Sequence, residues 1–396
     1  MSERTVASRL ASLAREADGN PEARARSVVD RLQRMSWSYL LLIFITAGIG
    51  IVLLVSAAGG KFSSYAEPQV QRFVFGLILT MGIAMTDIKL LMKLAYPAYF
   101  GTLGLLIGVE VFGRIGMGAQ RWIAIGPLNL QPSELMKIAI VLALARYFHS
   151  LPMQSRKNIF VLIVPAIVIA LPVALVLNQP DLGTAVLIAA SAGAVVFLAG
   201  ADWRLFVGAA GAVAAAAPFA WSQLHDYQKD RVLTFLDPSR DPLGAGYHIL
   251  QSKIALGSGG IWGRGFMQGT QSHLSFLPES QTDFVFTVLA EEFGLAGVMV
   301  LLGLYFLLIF VGWLMALQAR SDFARLVGGG MVVTFSLYVF VNVAMVTGLM
   351  PVVGVPLPLI SYGGTAMLTV MICFGLILNV HIHRSEEISR NEGVLV

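Results

Sequence analysis

Asp283 stands where a polar stretch gives way to an apolar one, in Leu277-Pro278-Glu279-Ser280-Gln281-Thr282-Asp283-Phe284-Val285-Phe286. A carboxylate at such an edge meets two opposing influences, loss of water and the positive end of a helix. It is placed to take a proton from a bound hydroxyl as a general base. It is equally placed to cap the helix, and position alone leaves both readings open. A second candidate pair lies in Gln131-Pro132-Ser133-Glu134-Leu135-Met136-Lys137. Pro132 suits a first helical turn and Glu134 the positive end of that turn. Glu134 and Lys137, three residues apart, share a helix face and can pair. A lone ammonium one turn into an apolar run is costly, so Lys137 must meet Glu134 or an anion in a watery groove.

Other polar residues invite two readings each. Arg121 and Trp122, in Gly118-Ala119-Gln120-Arg121-Trp122, suit a diphosphate and a sugar face, or else a plain anchor at the bilayer interface. Asp181, in Asn178-Gln179-Pro180-Asp181-Leu182-Gly183-Thr184, is a binding carboxylate or a simple cap. Glu110, Glu291 and Glu292 lie inside apolar runs, where acids face a cavity or a partner; a structural network is the economical reading. Ser361-Tyr362-Gly363-Gly364 follows Pro356-Leu357-Pro358, so the chain there can bend and approach closely. No Gly-x-Ser-x-Gly elbow surrounds Ser361, which excludes a serine hydrolase. The run Gly257, Gly259, Gly260, Gly263, Gly265, Gly269 lacks the setting of a nucleotide-binding loop.

The elements that must position these residues are membrane helices. Of 396 residues, 57% are hydrophobic and 13% charged, about half the charged share of a soluble domain. The apolar residues come in blocks of roughly 20, the length that crosses a bilayer as a helix. Continuous runs do not match the alternating pattern of a membrane β-barrel. The fold expected is therefore all-α, with about ten spans near 38–58, 70–87, 92–112, 133–149, 158–177, 182–200, 203–221, 284–316, 326–349 and 361–381. Residues 1–37, with seven arginines and five acids, read as a cytoplasmic tail containing a short amphipathic helix near 28–35. The first apolar run begins too far in for a cleavable signal. Residues 38–384 read as one polytopic domain and 385–396 as a cytoplasmic tail.

Orientation follows from the short loops. Lys89, Lys93, Arg146, Arg156, Lys157, Arg204, Arg320, Arg325, Arg384 and Arg390 fall on one side and only Lys61 on the other, which puts both ends in the cytoplasm. Two long outer segments result, at 113–132 and about 222–282, and the second, with a short helix near 244–255, is long enough to suggest function. The net charge of +4 is spread through loops and gives no sign of nucleic-acid binding. The single cysteine, Cys373, excludes an intrachain disulfide.

These strings together resemble the SEDS family, the shape, elongation, division and sporulation proteins, from the first span to the last. The resemblance is carried by Gly118-to-Trp122, Gln131-to-Lys137, Gln179-to-Thr184, Asp237-Pro238 with Asp241-to-Tyr247, Pro278-to-Phe286 and Pro356-to-Gly364. Leu289-Ala290-Glu291-Glu292 and Pro351-to-Pro356 are closer to the elongation branch than to the division branch. Gln281 departs from the histidine that many members carry, which removes a proton relay at that position but leaves Asp283. The resemblance implies a peptidoglycan glycosyltransferase that polymerises lipid II beside a class B penicillin-binding protein and other elongation-complex membrane proteins. It implies that Asp283 is the essential aspartate and that Glu134 and Lys137 match the family's fourth-span pair.

The chemistry expected then is one displacement with inversion, from an α-linked polyprenyl diphosphate donor to a β-1,4 bond. Asp283 would deprotonate the acceptor's 4-hydroxyl, while Lys137 and Arg121 stabilise the leaving diphosphate. Glu134, Asp181 and Ser361 complete the expected substrate site. A divalent cation, Mg or Mn, could share the charge, and the sequence does not decide this. The rival readings are a lipid II flippase and a scaffold without chemistry of its own.

Overall fold

The computed structural model describes residues 29–116, 119–125, 128–223, 226–237, 240–241, 244–270 and 279–390. Most of the expected amino tail, the last six residues and parts of the Gly118, Asp237-to-Leu243 and Pro278 motifs lie outside them. The helices are α1 (Trp37–Ala57), α2 (Ala66–Met85), α3 (Ile88–Phe112), α4 (Pro132–Ser150), α5 (Ile159–Asn178), α6 (Leu182–Leu198) and α7 (Trp203–Gln223). They continue with α8 (Asp226–Leu236), α9 (Ala245–Ser258), α10 (Val285–Leu317), α11 (Asp322–Val346) and α12 (Gly364–Ile382). Among the described residues, seven helices are long and apolar enough to cross a membrane: α1, α2, α3, α5, α10, α11 and α12. Two shorter apolar helices, Leu182–Leu198 and Trp203–Ala216, accompany them. The chain is a multi-pass membrane protein.

The helices divide by what they face. α5 turns mostly outward, while α11 and α12 are mostly buried inside the protein. α4 is buried on nearly every side, packed between α3, α6 and α11. A helix shielded from lipid on all sides need not be apolar, which is how Glu134, Lys137, Arg146 and His149 are accommodated on it. Asn379 of α12 donates from its side-chain amide to the carbonyls of Ile83, Ala84 and Thr86, closing the carboxyl end of α2.

Two features depart from the sequence reading. The shorter segment between spans, expected as an outer loop, is a three-stranded antiparallel meander of β1 (Arg114–Gly116), β2 (Ala119–Ile125) and β3 (Leu128–Leu130). Its register sets Arg114 opposite Trp122 and Ile123 opposite Leu130. The other is the stretch expected as one span at 284–316, which is broken at Gly294, where φ is 63°. An unbroken helix of 33 residues would run about 50 Å, too long for a bilayer core of roughly 30 Å. The portion after the break, about 34 Å long by the same rise, suffices to cross.

The glycine-rich run explains the break. Arg264 and Gly265 donate backbone N–H groups to the carbonyls of Glu291 and Glu292, and Leu295 and Ala296 donate back to Gly260 and Ile261. These bonds satisfy groups that the interrupted helix leaves open. The approach is so close that a Cβ at Gly263 would lie 2.1 Å from the Glu292 carbonyl oxygen, at a φ of +81°.

Candidate active site

α11 brings the two principal candidates together. Tyr338 and Asn342 lie four residues apart on it, hence on one face and about 6 Å apart along the axis. The Tyr338 hydroxyl donates to Glu134 Oε2, and Lys137 Nζ donates to Glu134 Oε1 at 2.6 Å. The ammonium also sits 4.3 Å from the Tyr338 ring centroid, a favourable place for a cation. Both charged side chains are shut away, with Lys137 1% and Glu134 7% exposed. One turn along, the Asn342 amide donates to the backbone carbonyls of Asp283 (3.0 Å) and Val355 (2.7 Å).

Asp283 is thus anchored through its backbone while its side chain stays half-buried at the start of α10. Gly354, at φ +70°, comes beneath it: a Cβ there would stand 3.5 Å from Asp283 Oδ2. Thr282 turns back to Glu279 rather than towards α10. The next segment is tied down as well, since Tyr362 donates its N–H to the Gln281 carbonyl at 2.8 Å.

Below this rim a small pocket, with room for little more than a water molecule, lies under the bent Pro356-to-Ser361 stretch, with Tyr338, Leu359, Ser361, Gly363 and Met367 in its wall. The Ser361 hydroxyl accepts from the Leu357 N–H at 2.8 Å, so it braces this bend as well as lining the pocket. Tyr338 belongs both to the pocket wall and to the ion pair.

Arg121 reaches the turn between α5 and α6. Its guanidinium donates to the carbonyls of Gln179 (3.0 Å) and Pro180 and lies 3.6 Å from Asp181. The Asp181 carboxylate caps α6 through the Thr184 N–H at 3.2 Å and also receives the Gln131 amide at 3.3 Å. Gly183, the second residue of α6, abuts Val353 beside the Asp283 loop. Arg121 and Asp181 are therefore paired with each other, and Glu134 with Lys137, in two separate units around the loop that carries Gly354.

The acids inside α10 take part in local bonding. Glu292 receives the Ser56 hydroxyl of α1, and Glu291 receives Thr270, to which Arg264 donates. Glu110, near the end of α3, is exposed instead. The sequence reading passed over Tyr338, Asn342, Gln69 and Arg72. Arg72 left a signal, an arginine at the start of an apolar run; Tyr338 and Asn342 left none that composition could separate from ordinary span residues. No group of three or more His, Cys, Asp or Glu placed to hold a metal occurs among the described residues.

Comparison with known proteins agrees with this architecture. The model of the cell cycle proteins FtsW, RodA and SpoVE matches residues 34–386. Peptidoglycan glycosyltransferase MrdB of Escherichia coli (strain K12) is 45% identical over 347 residues, 87% of this chain and 93% of that protein. Peptidoglycan glycosyltransferase RodA of Treponema pallidum is 32% identical over 427 residues, covering 87% and 97%. A solved chain from a peptidoglycan synthase complex that coordinates polymerization and crosslinking superposes with a TM-score of 0.78 at 35% identity, covering 89% of this chain and 99% of that one. The rod shape determining protein RodA of Thermus thermophilus gives 0.67 at 30% identity, covering 89% and 98%.

Proposed function

Because this chain belongs to the cell cycle protein family of FtsW, RodA and SpoVE, we propose that it is a peptidoglycan glycosyltransferase polymerising lipid II into β-1,4-linked glycan during cell elongation. Asp283 is its general base. Both termini are cytoplasmic, and the Asp283 rim faces the periplasm of a cell inner membrane. The carrying observation is the half-buried Asp283 carboxylate, whose backbone is fixed by Asn342 one turn from the Tyr338–Glu134–Lys137 unit. A base is useful only if its position is held while its proton-accepting oxygen stays accessible.

The donor sugar is α-linked to diphosphate and the product is β-linked, so one in-line displacement suffices and no covalent nucleophile is required. Diphosphate leaves readily once its charge is met. Asp283 takes the proton of the acceptor's 4-hydroxyl as the new C–O bond forms and the C–O bond to diphosphate breaks. Lys137 is paired with Glu134 and buried, so it acts on the leaving diphosphate as a fixed positive environment for developing charge. Arg121, 26% exposed, stands on the other side of the Gly354 loop. Glu134 and Asp181 hold these two cations in place, and Ser361 holds the pocket wall. A divalent cation, Mg or Mn, fits as a guest bound largely by diphosphate oxygens and at most one or two carboxylates. Metal would then supply charge neutralisation, and Asp283 would remain the base.

The likeness to a chain of a peptidoglycan synthase complex supports a class B penicillin-binding protein as partner, with other elongation-complex membrane proteins around it. The test gives the purified full chain labelled lipid II with no other polymerase present, with and without chelator, and separates products by length. Glycan strands are expected, and Asp283→Asn should lower their rate by roughly 100-fold or more without changing the melting temperature. Lipid II moved across vesicles but never polymerised would make the protein a flippase. Activity seen only from the partner, and indifferent to Asp283, would make it a scaffold.

A further inference from the structure

Arg72 is a cation left over by the pairings described above. Lys137, Arg121, Arg156 and Arg325 each meet a carboxylate. Arg72, in the outer half of α2, has none among the described residues: its Nη2 donates to the Tyr362 hydroxyl at 3.1 Å, and the guanidinium stacks 4.4 Å from that ring. Its Nη1 is buried with no hydrogen-bond partner. Three residues earlier, Gln69 is 1% exposed and donates to the Ser361 carbonyl at 2.9 Å, yet its Oε1 is also buried and unpartnered. A buried guanidinium N–H and a buried amide oxygen left open on one helix face are costly and call for a polar occupant.

The neighbouring backbone suits an anion. α12 begins at Gly364 behind Gly363, with no side-chain cap and no acid in its first turn. A Cβ on Gly364 would lie 3.8 Å from Arg72 Nε, and one on Gly363 would meet nothing nearer than 3.9 Å. Gly364 therefore brings the start of α12 within contact distance of the guanidinium, and the first turn of a helix favours negative charge. Tyr362, which holds Arg72, also holds Gln281, two residues before Asp283.

We propose that Arg72, with Gln69 and the uncapped start of α12, forms a lipid-phosphate site that receives the diphosphate of a lipid-linked substrate, apart from the leaving diphosphate given to Lys137 and Arg121. The guanidinium takes phosphate oxygens, and Gln69 Oε1 takes a hydroxyl or amide N–H of the attached sugar. This rests on the glycosyltransferase reading, and binding can be measured without turnover.

The full chain in phosphatidylcholine nanodiscs is titrated with undecaprenyl diphosphate and, in a parallel arm, with phosphatidylglycerol. Binding is read by native mass spectrometry. Arg72→Gln should weaken the diphosphate lipid about tenfold, the scale of one charge-assisted hydrogen bond, and leave phosphatidylglycerol unchanged. Arg72→Lys should recover part of the loss, which a misfolding effect would not. In polymerisation, Arg72→Gln should raise the KM for lipid II by a similar factor. Equal weakening of both lipids overturns the diphosphate assignment in favour of a general anionic-lipid contact. Unchanged binding of both overturns the site and leaves the corner to an ordered water. A wild-type chain that binds the diphosphate through Arg72 but makes no glycan sinks the enzymatic reading and keeps the site.

Discussion

Replacing Lys137 with methionine should destabilise the protein severely, and replacing Glu134 with glutamine at the same time should restore most of the loss. With Nζ and Oε1 at 2.6 Å, the attraction is about 6 kcal/mol at an effective dielectric near 20. That attraction is largely offset by the cost of drying both ions, so the pair contributes little in net terms. Lys137→Met alone strands the Glu134 carboxylate in a nearly dry site, a loss of about 3–5 kcal/mol. In the double variant Glu134→Gln/Lys137→Met no charge is buried, and the new amide oxygen can still accept from Tyr338. Its stability should lie close to that of the parent. Apparent melting in detergent, followed by tryptophan fluorescence, measures both. The same pair then reports on chemistry. If the Lys137 charge stabilises the leaving diphosphate, the folded double variant should polymerise about 10–100-fold more slowly. A double variant that folds and polymerises at the parent rate would show that Lys137 serves only to neutralise Glu134. A single variant that melts like the parent would refute the reasoning about the buried carboxylate.

Asn342→Ala removes the amide that ties the Asp283 and Val355 carbonyls together; polymerisation should fall by at least tenfold, with a smaller change in donor affinity measured by titration. Gly263→Ala places a methyl group against the Glu292 carbonyl at a positive φ, so it should lower the melting temperature and activity together. Gly257→Ala, in the helical α9 with nothing within 4 Å of the new Cβ, should be neutral or stabilising by up to about 1 kcal/mol, and the contrast between the two variants separates docking from mere glycine content.

What the sequence made legible follows from what a span must be. Apolar blocks of bilayer length are hard to mistake, and the starts of α1, α4 and α12 at Trp37, Pro132 and Gly364 fall within a few residues of the expected 38, 133 and 361. The short outer helix expected near 244–255 is α9, Ala245–Ser258. Glu134 and Lys137 were legible as a pair because their spacing alone puts them on one face. The break in α10 was hidden, because Gly294 inside an apolar run looks like any small residue of a membrane helix. Only the distant run Gly259 to Gly265, docking by backbone hydrogen bonds, makes the break stable. Such a bond has no side-chain signature apart from the absence of side chains.

The organisation of the site was illegible for a related reason. Tyr338 meets Glu134 across 204 residues, and Asn342 meets Asp283 across 59. Neither α11 residue forms a motif, yet their i, i+4 spacing sets the distance between the ion pair and the proposed base. Chemistry-bearing residues announce themselves by type, whereas the residues that set their spacing are neutral hydrogen-bonding groups on a buried helix. In the proposed site, with one base and no covalent intermediate, the rate depends as much on that spacing as on the carboxylate itself. The loss in Asn342→Ala is therefore expected to exceed what one backbone tie contributes to stability.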